Sequence, residues 1–219
     1  MFPREIKKYE VFTTSLYDGY ICDSLFSPDS FQLKDIIEQL FLGLVQLIRA
    51  DRSHNDLKPT NILYRYRNKK YTIKIGDFGQ CGTQGGTPGW TAPVFLEDRK
   101  PGKEDMYSIS LVILRLLCAN QSIFHCLRDN FVVNSHTTQQ WMIDFLNMTE
   151  IKFVKKMMNL DNQPTFQEID NEWSRIRDGI KIIDASRLLQ LSVPRQYLQP
   201  QYNHTEYLIF VFTLKLASL

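Results

Sequence analysis

A mostly α-helical domain with one small β-hairpin, an α+β arrangement, is what this 219-residue sequence predicts. Three observations carry that reading. Apolar residues recur at helical spacing over long stretches on both sides of the chain's midpoint. Two short runs of β-branched and aromatic residues lie close together and are separated by a polar, basic turn. A glycine-rich segment without charge divides the first half from the second.

Taken in order, Tyr9 to Leu16 is rich in aromatic and β-branched types and reads as a strand, followed by a turn at Tyr17-Asp18-Gly19-Tyr20. From Phe31 to Arg49, Ile36, Ile37, Leu40, Phe41, Leu44, Leu47 and Ile48 form the apolar stripe of a helix. Asp29 or Ser30 can cap it, and Gln32 stands where a capping box headed by Asp29 requires it. Ile62 to Tyr64 and Tyr71 to Ile75 predict an antiparallel hairpin joined by the run Arg65-Tyr66-Arg67-Asn68-Lys69-Lys70, a solvated turn. Gly79 to Gly89 predicts a flexible loop. Glu104 to Ala119 is apolar on nearly every side, the pattern of a buried helix. Gln139 to Leu160 and Phe166 to Arg177 are amphipathic and helical. From Gly179 onward the pattern is weak, ending in the apolar tail Tyr207 to Leu219.

The bulk composition excludes several classes. Hydrophobic residues make up 43% of the chain, enough for a packed core, and a net charge of +2 gives no electrostatic basis for binding nucleic acid. Cys22, Cys81, Cys118 and Cys126 are far apart and form no Cys-x-x-Cys pair, which points to reduced thiols in an intracellular, cytoplasmic setting. No signal-peptide pattern is visible at Met1 to Lys8, and the 13-residue tail containing Lys215 is shorter than the roughly 20 residues of a membrane span. Oligomeric state is left open.

Chemistry concentrates between the first helix and the hairpin, in Ser53-His54-Asn55-Asp56-Leu57-Lys58-Pro59-Thr60-Asn61. Gly76-Asp77-Phe78-Gly79 follows at the far end of the hairpin. Read singly, Lys58 is a surface lysine, Asn61 a turn asparagine and Asp105 a helix cap. Read together, Asp56, Lys58, Asn61 and Asp77 are the groups that metal-assisted phosphoryl transfer uses. The hairpin delivers Asn61 at one mouth and Asp77 at the other, so two metal-capable groups emerge side by side.

Four ordered motifs then carry a resemblance. His54 to Asn61 is similar to H-R-D-L-K-P-x-N, Asp77-Phe78-Gly79 to D-F-G, Gly86 to Pro93 to the end of an activation segment, and Asp105-Met106-Tyr107-Ser108 to the start of a buried central helix. Together they resemble the C-terminal lobe of the eukaryotic protein kinases, serine/threonine type. The resemblance implies ATP and Mg²⁺ as cofactors and a protein substrate or partner. It implies that Asp56 orients the attacking hydroxyl and that Lys58 neutralises charge on the transferred group. Asn61 and Asp77 hold the metal, and with Lys58 they contact the nucleotide phosphates. Thr87 ties the substrate loop to Asp56, while His54, Phe78 and Asp105 are structural supports. It divides the chain into 1–16, a remnant N-lobe strand; 17–178, the C-lobe; and 179–219, an extension.

Departures from the family pattern shape the functional expectation. The 53 residues before His54 hold only Gly19 and Gly43 as glycines, with no Gly-rich loop and no strand lysine with a partner glutamate. The expected N-lobe is absent or vestigial, and transfer by this chain is weak or lost. Asn55 replaces the arginine of the loop. Val94 stands where A-P-E has Glu, and Gln163 stands where an arginine would pair with it. Two alternatives follow: a pseudokinase-type module that binds a partner, and a small-molecule kinase of the choline or aminoglycoside type, where H-N-D-L also occurs.

Overall fold

In the computed structural model, which describes residues 16–82, 85–92, 102–118, 124, 125, 128, 144, 146–160 and 162–183, the first helix α1 spans Ser30–Arg49. Its start is the capping box expected from the sequence. Asp29 Oδ1 accepts hydrogen bonds from the backbone N–H of Phe31 (2.9 Å) and Gln32 (2.7 Å), and Gln32 Oε1 accepts from the Asp29 N–H at 3.0 Å. Leu33, Ile36, Ile37, Leu40, Phe41, Leu44 and Leu47 form its buried stripe.

A three-stranded antiparallel sheet, ordered β1 (Gly19–Tyr20), β2 (Ile62–Arg67) and β3 (Lys70–Ile75), lies against α1. It corrects two expectations. The segment Tyr17 to Tyr20 is not simply a turn, because Gly19 and Tyr20 pair with Tyr64 and Leu63. Asp18 draws this segment along β2: its carboxylate accepts from Tyr66 N–H at 2.7 Å and from Arg67 Nη1 and Nη2 at 2.8 and 3.0 Å. The chain turns after Tyr20 instead, where Tyr20 N–H donates to Asp23 Oδ2 at 2.6 Å.

The basic run is likewise mostly strand. The ladder runs from Ile62↔Ile75 to Arg67↔Lys70, leaving only Asn68 and Lys69 as the turn. Both are left-handed, with φ of 52° and 61°, which is the two-residue type I′ geometry that favours Asn-Gly. Lysine at the second position is strained. Lys69→Gly should therefore raise stability by about 0.5–1 kcal/mol, the left-handed penalty less the entropy that glycine adds to the unfolded chain. A higher urea midpoint at unchanged slope is the expected reading, and an equal or lower midpoint would refute it.

Helix α2 (Lys103–Leu117) is buried on almost every face, as its all-round apolarity requires. It begins at Gly102, whose φ is 88°; a Cβ there would fall 2.4 Å from Ile48 Cγ1, so α1 and α2 meet over a residue without a side chain. It ends before Ala119, where Cys118 bridges to Ile183 and Ile183 N–H donates to Leu117 O at 2.8 Å. Helices α3 (Thr149–Met158) and α4 (Phe166–Ile176) complete the described core. α4 starts with a second capping box, Thr165 with Glu168. Phe41 of α1, Phe153 of α3 and Trp173 of α4 meet with ring centroids 5.7–6.0 Å apart, which joins the three helices.

The expected strand at 9–15, Val94, residues 139–143 and the tail from 184 onward lie outside the described residues. No helix among the described residues is long and apolar enough to cross a membrane.

Candidate active site

The loop between α1 and β2 is held from below by α2. Asp105, fully buried, accepts from His54 N–H at 2.7 Å through Oδ2 and from Asn55 N–H at 2.9 Å through Oδ1. It does not cap its own helix, whose N-cap is Gly102. Burial pushes the Asp105 carboxyl above its ordinary pKa, and the two N–H donors offset part of that rise. Asn55 takes a left-handed backbone, φ 67°, a conformation that Asn adopts far more readily than most side chains.

His54 is also buried. Its Nε2 lies 2.8 Å from Gly76 O, and Asp56 N–H donates to Nδ1 at 3.3 Å. A carbonyl only accepts, so the two partners together select the tautomer with hydrogen on Nε2. The ring packs against Phe78, centroids 4.9 Å apart, and Phe78 is itself half exposed.

Asp56 is the centre of the cluster. Its Oδ1 accepts from Thr87 N–H (2.8 Å) and Thr87 Oγ1 (2.7 Å), and its Oδ2 from Lys58 Nζ (2.7 Å) and Asn61 Nδ2 (3.0 Å). Lys58 Nζ also reaches Thr87 Oγ1 at 2.6 Å, closing a triangle, and Asn61 Nδ2 donates to Asp56 O at 2.9 Å. Burial raises the Asp56 pKa, but the bonds and charge from Lys58 and the bonds from Thr87 outweigh it and hold the carboxyl below its ordinary value. The result is a carboxylate favoured in its ionised form by four donated hydrogen bonds.

Asp77 stands beside this cluster without joining it. Gly76 N–H donates to Asn61 O at 2.8 Å, which places Asp77 one residue from a direct backbone link to Asn61. Its backbone is left-handed (φ 58°), its side chain is exposed, and Oδ1 accepts from Gly79 N–H at 3.4 Å. The amide oxygen of Asn61 and the carboxylate of Asp77 are hard oxygen donors of the kind Mg²⁺ takes when phosphate oxygens and water supply the rest of its shell. No group of three or more His, Cys, Asp or Glu that could hold a metal ion occurs among the described residues.

The family model for the protein kinase domain matches residues 10–178. The chain belongs to the protein kinase family. Among its relatives, calcium/calmodulin-dependent protein kinase type IV of Mus musculus is 28% identical over 158 residues, covering 64% of this chain and 34% of that protein. Calcium/calmodulin-dependent protein kinase type 1B of Rattus norvegicus is 24% identical over 212 residues, covering 87% and 62%. Calcium/calmodulin-dependent protein kinase type 1 of Caenorhabditis briggsae is 39% identical over 112 residues, covering 46% and 32%. The matched stretch thus spans from about a third to just under two thirds of these relatives' own length.

Two further residues at this site matter more than their sequence suggested. Gly86, read as one of several glycines in a flexible loop, has φ 130°, and a Cβ there would lie 2.5 Å from Asn55 O and 2.1 Å from Thr91 Cγ2. It is the point where the segment carrying Thr87 presses against the Asp56 loop. Its position next to Thr87 was the only available signal. Ser53 was not singled out either, yet its hydroxyl accepts from Gly102 N–H at 3.1 Å and its carbonyl from Gly82 N–H at 3.2 Å, tying the loop to α2 and to the segment after Phe78.

Gln163 stands where the family's arginine would be. Its Nε2 donates to Lys103 O (3.0 Å) and Met157 O (3.1 Å), bridging the start of α2 and the end of α3. A neutral amide therefore does packing work at that position without an ion pair.

Proposed function

We propose that this chain is the hydroxyl-orienting and metal-holding portion of a serine/threonine protein kinase, directing the γ-phosphoryl group of ATP to a Ser or Thr hydroxyl of a protein substrate. The observation that carries the proposal is Asp56: a carboxylate kept ionised by Lys58 and Thr87 within one bonded cluster. Such a group accepts the hydrogen of an incoming hydroxyl and aligns its oxygen for in-line attack. Lys58, between Asp56 and Thr87, offsets negative charge as the phosphoryl group passes; a lysine at this place is the serine/threonine choice. Asn61 and Asp77 would hold Mg²⁺, which when bound neutralises charge on the nucleotide phosphates. His54, Phe78 and Asp105 keep the loop in register for this work.

The 53 residues before His54 hold Gly19 and Gly43 as their only glycines, so they lack the Gly-rich loop that clamps the triphosphate in this family. Transfer by this chain alone is accordingly slow or lost. One observation favours a second reading, a partner-binding module. A cleft of about 400 Å³ opens between α1 and β3 beside Phe78, lined in part by Leu42, Gly43, Ile73 and Ile75. Leu42 is 61% and Phe78 50% exposed there, an apolar surface a partner could cover.

Thermal denaturation with Mg²⁺-ATP tests the metal assignment and the incomplete clamp together. The expected shift is about 1 °C or less, the size produced by a ligand near its dissociation constant, and Asp77→Ala should remove it. A shift of several degrees that Asp77→Ala abolishes would show a complete nucleotide site. A shift that survives Asp77→Ala would remove Asp77 from the metal site.

A further inference from the structure

The outer edge of β3 is half covered. Ile62 O and Tyr64 O of β2 face β1, so the alternate residues of β2 bond β3, and the backbone groups of Tyr71, Ile73 and Ile75 turn away from the ladder. The Gln39 side chain fills one place on that edge. Its Nε2 donates to Tyr71 O at 3.0 Å, and its Oε1 accepts from Ile73 N–H at 2.8 Å. One donor and one acceptor offered to alternate residues is what a single residue of a parallel strand supplies. The next place, Ile73 O with Ile75 N–H, has no partner among the described residues. It opens on the cleft between α1 and β3, where Leu42, Leu47 and Phe78 form an apolar wall. The opposite face of the hairpin is cationic. Lys70 and Lys74 stand exposed there beside Arg65, and Lys74 has no ion pair among the described residues.

We propose that this edge takes up, as a parallel strand, an extended segment of a partner protein with the pattern apolar–acidic–apolar. The inference rests on the partner-binding reading of the cleft and not on phosphoryl transfer. The central residue of the segment lies beside Lys74, where its N–H donates to Ile73 O and its C=O accepts from Ile75 N–H. Side chains alternate along a strand, so the central one shares the outward face with Lys74, and a carboxylate there meets an unpaired ammonium. The residues before and after it turn toward α1 and cover Leu42, Leu47 and Phe78. An antiparallel strand is disfavoured, because its residue opposite Ile73 needs the N–H that Gln39 already holds. A helix in the cleft satisfies its own backbone and would bury Ile73 O and Ile75 N–H without partners.

Fluorescence anisotropy with the 219-residue chain and a labelled Thr-Val-Glu-Val-Thr peptide tests this. The peptide should bind about fivefold more tightly than its Thr-Val-Lys-Val-Thr counterpart, a difference of about 1 kcal/mol. Lys74→Gln should reduce the preference to about twofold or less, and Lys74→Glu should reverse it. The backbone pairing has its own readout. Methylating the glutamate nitrogen removes the donor to Ile73 O and should weaken binding about tenfold or more. Methylating the nitrogen of the following valine, which points away from β3, should change it by about twofold or less. Bound peptide should also slow solvent exchange of Ile75 N–H, read by NMR. Binding that ignores both methylation and Lys74 but is weakened by Leu42→Asp overturns strand addition and leaves a partner-binding cleft. A dimer of the chain that closes the edge to the peptide, seen by sedimentation, overturns the inference in favour of a second copy. Failure of the peptide to bind overturns it as well, and if an amphipathic helical peptide also fails, the partner-binding reading falls with it.

Discussion

Asp56→Asn should lower phosphoryl transfer to a serine peptide by about 10²–10⁴-fold, measured as Mg²⁺-ATP-dependent incorporation at whatever rate the parent chain supports. The substitution keeps the side chain's shape but replaces one accepting oxygen with an amide. That amide would face donors, since Lys58 Nζ, Asn61 Nδ2, Thr87 N–H and Thr87 Oγ1 all converge on the carboxylate. The variant loses both the group that takes up the hydroxyl hydrogen and the anchor for Thr87. A second readout is independent of turnover. The folded-state pKa of Asp56 is lowered, so its contribution to stability is fully present above the ordinary carboxylate pKa of about 4 and is lost as pH falls through the folded value. The parent should therefore lose stability on acidification below about pH 4 more steeply than Asp56→Asn does. Unchanged transfer in a folded Asp56→Asn protein would remove Asp56 from the chemistry.

Asp105→Asn should destabilise the fold by about 3 kcal/mol, a Tm lower by about 6–12 °C. Both carboxylate oxygens of Asp105 are engaged by loop amides in a site with no access to water. An asparagine can accept from one of them and must turn an N–H₂ toward the other, leaving two donors face to face. The pH dependence has the opposite sign to that of Asp56. Because the folded pKa of Asp105 is raised, its contribution is present below the ordinary carboxylate pKa and is lost as pH rises through the folded value. The deficit of Asp105→Asn relative to the parent should therefore narrow as pH rises through the range just above 4. An equal Tm at all pH values would show that the loop does not depend on this carboxylate.

Much of this arrangement was legible in the residues. The Asp29–Gln32 box, the stripe on α1 and the all-round apolarity of α2 each follow from local rules that the fold does not override. The proximity of Asn61 to Asp77 followed from hairpin spacing alone. What was not legible depends on contacts between segments distant in sequence. Nothing near Gly19 announces that Asp18 will bind Arg67 and draw out a third strand. Gly86 looks like its neighbours until Asn55 O is brought against it, and Asp105 looks like a helix cap until the loop's amides arrive.

The hairpin between Asn61 and Asp77 has a practical consequence. Its tip, Asn68–Lys69, is about 20 Å along the strands from the paired residues Ile62 and Ile75 at its mouth. A fluorophore or a grafted epitope placed at the tip would report on the protein without reaching the site. The strands themselves tolerate no such editing. Deleting one residue from β3 would slip its pairing by a single step and turn the strand's side chains to the opposite face of the sheet, whereas removing two opposed residues from each strand would shorten the arm and leave its mouth unchanged.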